Sequence, residues 1–409
     1  MPKESSNLNL ASRTIRANMT SAANTTVSMR ERNRAAEAGG DNKEPAISRR
    51  IAFLAPRLEL RGSVSQALTL AAQLSKRGHH LLFADAGGPL EKSAEALESD
   101  NLTRVRWEER PQQNAIGYFS RRRLLRQLDA FDPELIHVPS LSWKTPWREV
   151  AAKLDVPMVA TVHSARATKR IDPREFSAFE RIIAVSHDAR EAVVNHGRVP
   201  REQVDLVFPG VNAIAKEALT ARATSRANMI PVLACIGPLT DKAGLRTLLR
   251  AASLLLAADV EVRILIVGQG RYEGYLRDWI AEYNLGYLVI LVNELFTYSG
   301  VMDLADLFLI PSESSDQGHF ALEAMARGIP PILSGSGGNY ELVADNQTGL
   351  IFKEGDAESL ANAVMQAATQ PELRKTLGQA AWDAVKTQRS AQNMAMECES
   401  VYERAISYR

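Results

Sequence analysis

Short runs of apolar residues recur along the chain, and segments with helical spacing or turn residues separate them. The first run is Ile-Ala-Phe-Leu at 51–54, which has no polar alternation. Such a run is typical of a strand that is buried on both faces, as in a parallel sheet. Helical spacing follows at 67–74 and ends at Arg77-Gly78, a cation and a glycine of the kind that close a helix. The next strand is predicted at 81–83, so this segment is a β-α-β unit.

The same alternation divides the chain into two domains. A polar, alanine-rich stretch at 213–229 interrupts the pattern, which then starts again. Strands are predicted at 51–54, 81–83, 135–138, 157–162, 181–185 and 204–207 before this stretch, and at 232–236, 262–267, 287–292, 307–310 and 331–333 after it. We therefore predict an α/β fold with two Rossmann-like, doubly wound domains that face a central cleft. In such folds ligands bind at the carboxyl ends of the strands.

The predicted domain boundaries follow these changes in pattern. The first domain covers 49–215, a linker covers 216–229, and the second domain covers 230–375. The remaining residues, 376–409, are predicted to form helices that cross back to the first domain. Residues 1–48 are rich in Ser, Thr, Asn, Ala and Arg and lack a sustained apolar period, so we predict a disordered tail there.

Charge and cysteine content exclude several classes of protein. The 49 basic and 48 acidic residues leave a formal net charge of +1, which argues against a nucleic-acid partner. Cys235 and Cys398 are too few for a disulfide framework or a cysteine zinc site, and they fit a reducing cytosol best. No apolar run approaches the roughly 18 residues that suggest a membrane span. We therefore expect a cytoplasmic location.

The strongest functional signal lies between Asp306 and Gly328. A buried strand ends at Pro311-Ser312, Gly318 follows in a loop, and a helix then begins that contains Glu323-Ala-Met-Ala. The first turn of a helix offers free backbone N–H groups and a positive dipole end, which suit a diphosphate. A carboxylate at Glu323 can accept both hydroxyls of a ribose. On spacing alone, a solvated helix glutamate after a capping loop explains the pattern equally well.

Two further turn segments follow this helix. The stretch 335–341 reads Gly-Ser-Gly-Gly-Asn-Tyr-Glu, and its adjacent glycines would let the backbone approach a ligand closely. Residues 346–356 contain Gly349 and Gly355-Asp356, and they are predicted to form turns around a short, hairpin-like segment.

These segments together resemble the retaining, nucleotide-sugar-dependent glycosyltransferases of family 4 (glycosyl transferases group 1), which have the GT-B fold. The resemblance covers about 50–402. It rests mainly on the Pro-Ser strand end at 311–312, the Glu-Ala-Met-Ala helix and the Gly-Gly-x-x-Glu turn that ends at Glu341. Further matches are His163 in Ala-Thr-Val-His-Ser, Val-Ser at 185–186 and Pro-Gly-Val-Asn at 209–212.

The resemblance implies roles for the domains and for single residues. It implies that the first domain binds the acceptor and that the second binds a nucleotide-sugar donor, which is a substrate, so that no cofactor is expected. His163 would meet the donor sugar near the reacting centre. The positions implied to bind the donor or its nucleotide are Gly62, Gly237, Gly268, Ser315, Asp316, Gly318, Glu323 and Glu341.

Three positions depart from the family pattern. Pro238 and Ala243 stand where the family usually has the arginine and the lysine that neutralise the leaving diphosphate. Ser315 stands where the first glutamate of the Glu-x7-Glu element is usual. Lys242 and Arg246 are the nearest cations in sequence, and Asp316 is the nearest carboxylate. We therefore predict that Lys242 and Arg246 share the catalytic site with His163.

The resulting hypothesis is a retaining, metal-independent glycosyltransferase. No Asp-x-Asp pair, the usual metal-holding motif of the GT-A architecture, occurs in the chain. The alternatives are an impaired homologue that acts as a binding or partner subunit, which the three departures motivate, and a sugar-nucleotide epimerase of the same architecture. The acceptor is expected to be a glycan, a lipid-linked molecule or a small molecule. The basic stretch Arg121-Arg122-Arg123 suggests peripheral contact with the inner membrane surface, although a solvated helix face explains it too.

Overall fold

Two separate parallel sheets organise the chain in a computed structural model. The structure describes residues 47–408, except 56, 60, 108–114, 142–152, 227–228, 241, 293–297 and 312–317. The predicted tail at 1–48 therefore lies almost wholly outside the described residues. From Ser48 onward the chain forms one compact unit.

The first sheet has the strand order β3-β2-β1-β4-β5-β6-β7, and every neighbouring pair is parallel. The order reverses between β1 and β4, which is the usual ligand position in such sheets. Its central strands are buried along nearly their whole length, as their apolar sequences require. The strands are β1 Arg50–Leu54, β2 His80–Asp85, β3 Leu102–Arg106, β4 Leu135–Val138, β5 Met158–Val162, β6 Arg181–Ala184 and β7 Val204–Leu206.

The second sheet repeats this winding. Its order is β10-β9-β8-β11-β12-β13, again with parallel pairs throughout, and it reverses between β8 and β11. The predicted α/β fold with two doubly wound layers is thus confirmed. The strands are β8 Val232–Ile236, β9 Arg263–Val267, β10 Val289–Val292, β11 Leu307–Ile310, β12 Pro331–Ser334 and β13 Leu350–Phe352.

Two strands differ from the sequence prediction. β3 was not predicted, because only Leu102 and Val105 of its five residues are buried apolar side chains. Leu350–Phe352 was assigned to a hairpin-like segment, and this assignment is wrong. The segment pairs parallel to β12. After the turn at Gly337–Glu341 the chain returns to the amino end of β12 before β13 begins, so both strands run in the same direction.

Helices connect the strands, and several begin at capping residues. Asp356 accepts hydrogen bonds from the backbone N–H groups of Glu358 and Ser359, Pro371 opens the next helix, and Ser390 caps the last one. None of the described helices is long and apolar enough to cross a membrane. The α-helices are α1 Gly62–Lys76, α2 Glu91–Glu95, α3 Ala115–Phe131, α4 Ala165–Thr168, α5 His187–Asn195, α6 Lys216–Arg226, α7 Lys242–Ala257, α8 Glu273–Glu282, α9 Tyr298–Leu304, α10 Gly318–Met325, α11 Ala357–Thr369, α12 Pro371–Gln388 and α13 Ala391–Ser407.

The last helix, α13, packs against the first sheet rather than the second. Its buried face joins the core that covers β1 and α1. Within that core the Tyr402 hydroxyl lies 2.7 Å from His137 Nδ1, and His137 Nε2 lies 2.8 Å from Thr161 Oγ1. Burial and, to a lesser degree, the nearby His163 together lower the pKa of His137 to about 3. The imidazole is therefore neutral and joins α13 to β4 and β5 in one buried chain of hydrogen bonds.

The chain crosses between the sheets twice, and the two crossings lie side by side. The Val211 N–H donates to the Arg389 carbonyl at 2.9 Å, and the Ala391 N–H donates to the Val211 carbonyl at 3.0 Å. A Cβ atom at position 210 would lie 2.3 Å from the Ser390 carbonyl oxygen. Gly210 therefore allows the two backbone segments to touch.

Glu399 of α13 anchors the helix to the end of α1. Its Oε2 accepts a hydrogen bond from Arg77 Nη2 at 2.8 Å, and its Oε1 lies 2.9 Å from His79 Nε2. Burial alone would raise the pKa of Glu399, but the bonds to His79 and Arg77 lower it to about 2. Because the folded-state pKa lies below the unfolded value of about 4.3, this carboxylate stabilises the fold fully above that value and loses its effect as pH falls towards 2.

We expect Glu399→Gln to lower the free energy of unfolding at neutral pH, and the deficit relative to wild type to shrink steadily below about pH 4.5. Urea unfolding of both proteins from neutral pH down to about pH 3 measures this difference. Glu372→Gln, at a side chain that is 89% exposed, is the matched control and should differ little from wild type. A deficit that stays constant over the whole range would contradict the assignment.

Candidate active site

Two polar contacts join the segments that follow the carboxyl ends of strands in the two sheets. Ser65, in the first turn of the helix after β1, donates a hydrogen bond from Oγ to Glu323 Oε1 at 2.7 Å. Glu323 lies on α10, the helix after β11. The second contact joins His187, after β6, to Glu341, after β12. The predicted cleft is therefore bordered by the segments that follow these four strands.

The Glu323 carboxylate is buried at this junction, with 8% of the residue exposed. His319 Nε2 lies 3.2 Å from Oε1, and Arg327 Nη1 lies 3.7 Å from Oε2. Burial by itself would raise the pKa of Glu323, but His319, Ser65 and Arg327 together lower it below its ordinary value. The side chain is therefore an ionised acceptor at neutral pH, and it can take hydrogen bonds from the hydroxyls of a ligand.

His163 lies directly after β5 and is 8% exposed. Its Nε2 lies 2.8 Å from the Pro139 carbonyl oxygen, which follows β4. A carbonyl only accepts hydrogen bonds, so this contact assigns a proton to Nε2 and fixes the orientation of the ring. Ser164 caps the short helix that follows, where its hydroxyl accepts from the Ala167 N–H. The histidine is thus held at the carboxyl end of its sheet, and its contact with a donor sugar stays a prediction.

Glu341 lies in a turn of 3₁₀ helix, and its carboxylate contacts the other domain. Both oxygens lie 3.1 Å from the backbone nitrogen of His187, and Oε2 lies 2.9 Å from His187 Nδ1. Together with Ser186, which accepts from the Ala189 N–H, it caps helix α5. Arg389 Nη2 donates to the Glu341 carbonyl at 3.0 Å. The carboxylate predicted to bind the donor is therefore engaged between the domains, and its contact with a donor stays a prediction.

Two of the four predicted glycines, Gly237 and Gly268, lie at loop positions that the fold itself constrains. Gly237 and Gly268 have φ angles of 153° and 152°, and a Cβ atom on Gly268 would lie 1.9 Å from the Gly237 carbonyl oxygen. Backbone packing therefore requires these two glycines whether or not a ligand binds. Gly62 and Gly318 are the first residues of α1 and α10, the two helices that carry Ser65 and Glu323.

The remaining predicted residues are only partly described. Lys242 is the first residue of α7, and its side chain lies outside the described part of the chain. Arg246, one turn further along, is exposed. Ser315 and Asp316 lie outside the described residues. Within the described ranges, no three His, Cys, Asp or Glu side chains cluster in a way that could hold a metal ion.

Sequence reasoning missed Ser65 and His319. Ser65 is separated from Glu323 by 258 positions, and nothing in a Gly-Ser-Val-Ser segment indicates such a partner. His319 follows Gly318 four positions before Glu323, a spacing that places both side chains on one face of a helix. That spacing was the available signal for His319.

Two family models match the chain, one on each sheet. The model described as Glycosyltransferase Family 4 matches 60–213, and the model described as Glycosyl transferases group 1 matches 220–383. The two matches cover the strands of the first sheet from β2 onward and all of the second sheet.

Curated relatives are glycosyltransferases. An uncharacterized glycosyltransferase of Methanocaldococcus jannaschii is 25% identical over 82% of this chain and 93% of its own length. A D-inositol 3-phosphate glycosyltransferase of Corynebacterium aurimucosum is 27% identical over 62% of this chain and 67% of its own length. A GDP-mannose-dependent mannosyltransferase of Corynebacterium glutamicum is 30% identical, but the match spans only 37% of this chain and 41% of that enzyme.

Solved structures share the fold at low sequence identity. Anabaena HepE, determined in complex with UDP-glucose, superposes with a TM-score of 0.69 at 16% identity, over 88% of this chain and all of that chain. A glycosyltransferase from Rickettsia africae gives a TM-score of 0.67 at 16% identity, over 89% of this chain and all of that chain. Together with the two family models, these likenesses confirm the family resemblance: the chain belongs to the group 1 glycosyltransferases, enzymes with the GT-B fold.

Proposed function

We propose that the protein transfers a sugar from a nucleoside-diphosphate sugar to an acceptor hydroxyl, with retention of configuration and without a metal ion. The observation that carries this proposal is the ionised Glu323 carboxylate, buried where the two domains meet. A ribose offers two neighbouring hydroxyl donors, and a carboxylate accepts both. The N-terminal end of α10, which begins at Gly318, would lie near the diphosphate and favours its negative charge.

His163 is the second element of the proposal. Its ring is fixed by the Pro139 carbonyl and reaches the same end of the first sheet that Ser65 borders. A rigid imidazole at this position supports contact with the donor sugar, because an oriented polar group loses little entropy when the reacting atoms approach. Lys242 and Arg246 are proposed to neutralise the leaving diphosphate from α7, in place of the cations that Pro238 and Ala243 lack.

The names of the relatives support a nucleotide-sugar donor and are compatible with several classes of acceptor. One relative is named as GDP-mannose-dependent, and one solved structure contains UDP-glucose. The names of two relatives give an inositol phosphate and a phosphatidylinositol mannoside as the molecule that is glycosylated, and a third relative is named for the biosynthesis of amylovoran. We therefore propose an acceptor that presents a hydroxyl group on a small molecule, a lipid-linked sugar or a growing glycan.

The donor assignment predicts that Glu323→Gln weakens binding of UDP or GDP by about ten-fold or more, since a hydrogen bond to a charged group contributes about 1.5–3 kcal/mol. Isothermal calorimetry with UDP, GDP, UDP-glucose and GDP-mannose measures the affinity. Transfer of radiolabelled sugar from the tighter donor to the three acceptor classes measures the activity, and NMR of the product gives its anomeric configuration.

Glu358→Gln is the matched control for this experiment, because Glu358 is also a helix glutamate but is exposed and lies on α11. It should leave nucleotide affinity unchanged. A folded Glu323→Gln protein that binds the nucleotide as wild type does would refute the ribose assignment. An inverted product would refute retention alone.

Metal independence gives a separate expectation. Addition of EDTA should leave the rate of sugar transfer unchanged, because the diphosphate charge is proposed to be balanced by protein groups rather than by a divalent ion. The rate is compared before and after dialysis against the chelator. Loss of transfer that added magnesium or manganese restores would contradict this part of the proposal.

We also propose that helix α3 touches an anionic membrane surface through its arginines. Arg122, Arg123 and Arg126 are exposed, whereas the Arg121 side chain lies outside the described part. Each basic residue near such a surface contributes about 1 kcal/mol.

Arg122→Gln with Arg123→Gln should therefore reduce co-sedimentation with phosphatidylglycerol vesicles by about ten-fold or more. Lys353→Gln with Lys375→Gln removes the same charge from the second domain and should have no such effect. Equal binding by both double variants would argue against a membrane contact.

A further inference from the structure

His319 is a buried imidazole whose hydrogen bonds are not satisfied within the described part of the chain. It is the second residue of α10, and only 3% of it is exposed. Neither Nδ1 nor Nε2 has a hydrogen-bond partner among the residues that the structure describes. Buried polar atoms in proteins nearly always have such partners, so each exception calls for an explanation. Among the described side chains, His319 alone has two buried polar atoms without a hydrogen-bond partner.

Glu323 is the nearest polar neighbour, but it does not satisfy the ring. His319 Nε2 lies 3.2 Å from Glu323 Oε1 without the alignment of a hydrogen bond. The same oxygen already accepts the Ser65 hydroxyl at 2.7 Å. The imidazole therefore lies beside the carboxylate while both its nitrogens remain able to bond to another group.

The position of the ring limits what that group can be. His319 lies at the N-terminal end of α10, where the helix dipole favours negative charge, and it shares a helix face with Glu323. Helix α1, with Ser65 in its first turn, meets this face from the other domain. A ligand here would meet an anion-attracting helix end, a carboxylate that accepts from hydroxyls, and an imidazole that can donate to oxygen. A ribose joined to a diphosphate has the matching groups.

We infer that His319 contacts the bound nucleoside diphosphate directly and donates a hydrogen bond to its ribose or phosphate oxygens beside Glu323. This inference rests on the proposed function and adds a residue that determines donor affinity. A neutral imidazole carries one N–H group, which can donate this bond.

The test is calorimetry with UDP and with GDP on the full chain. His319→Leu removes both ring nitrogens but keeps an apolar side chain of suitable size, and it should weaken binding by about ten-fold or more. His319→Gln retains an N–H donor and should recover part of that loss. His196→Leu is the matched control, because His196 also has a buried nitrogen without a described partner but lies after the C-terminal end of α5. It should leave affinity unchanged.

The outcomes separate this inference from the proposed function. If His319→Leu binds UDP and GDP as wild type does while Glu323→Gln binds them weakly, the inference fails and the proposed function stands. If wild type binds neither nucleotide nor their sugars, both fail. A role confined to stability would lower the unfolding midpoint of His319→Leu without changing its affinity, and this also overturns the inference.

If His319→Leu does not fold, a second measurement tests whether His319 contacts the nucleotide. In wild-type protein labelled with ¹⁵N-histidine, NMR reports each ring nitrogen, and the His319→Gln spectrum identifies the His319 signals. Addition of UDP or GDP should shift these ring signals if the imidazole contacts the nucleotide. Saturation with nucleotide that leaves them unmoved would overturn the inference.

Discussion

The paired crossing of the chain at Val211 and Ser390 is the constraint on which the rest of the structure depends. Backbone hydrogen bonds join the outgoing and returning segments, and Gly210 lets them touch. Because both connections between the sheets pass through this crossing, the crossing holds the two sheets together. The carboxyl ends of the sheets face each other at a distance from the crossing. The polar contacts that border the cleft, Ser65 with Glu323 and His187 with Glu341, are made across this arrangement.

In these two contacts the carboxylates of Glu341 and Glu323 have different roles. Glu341 caps a helix N-terminus in the other domain together with Ser186, and it thereby links the domains. Glu323 accepts a hydroxyl from the other domain, which is the same kind of donor that a ribose would present. A ribose that binds Glu323 would therefore either compete with Ser65 at Oε1 or use the other lone pairs of the carboxylate.

Much of the fold could be predicted because buried parallel strands are continuous apolar runs, as at Leu307–Ile310. Strands with mixed sequence, such as Leu102–Arg106, carry no such signal. The site was predictable only where a local motif marks it. Glu323 follows from its helix, but the bond that it makes to Ser65 depends on tertiary structure and has no local signature. The position of Glu341 was likewise visible in sequence, whereas its engagement with His187 was not.

The return of α13 to the first sheet has a consequence for the order in which the protein is built. Synthesis proceeds from the N-terminus, so all the strands of the first sheet are made before the helix that covers one of its faces. Met394, Cys398 and Tyr402 complete that core, whereas the second sheet has all its strands once Phe352 has been made. Domains usually fold in the order of their synthesis. Here the domain begun first receives part of its core only after the strands of the second sheet have been made, so on the ribosome its apolar face waits for α13.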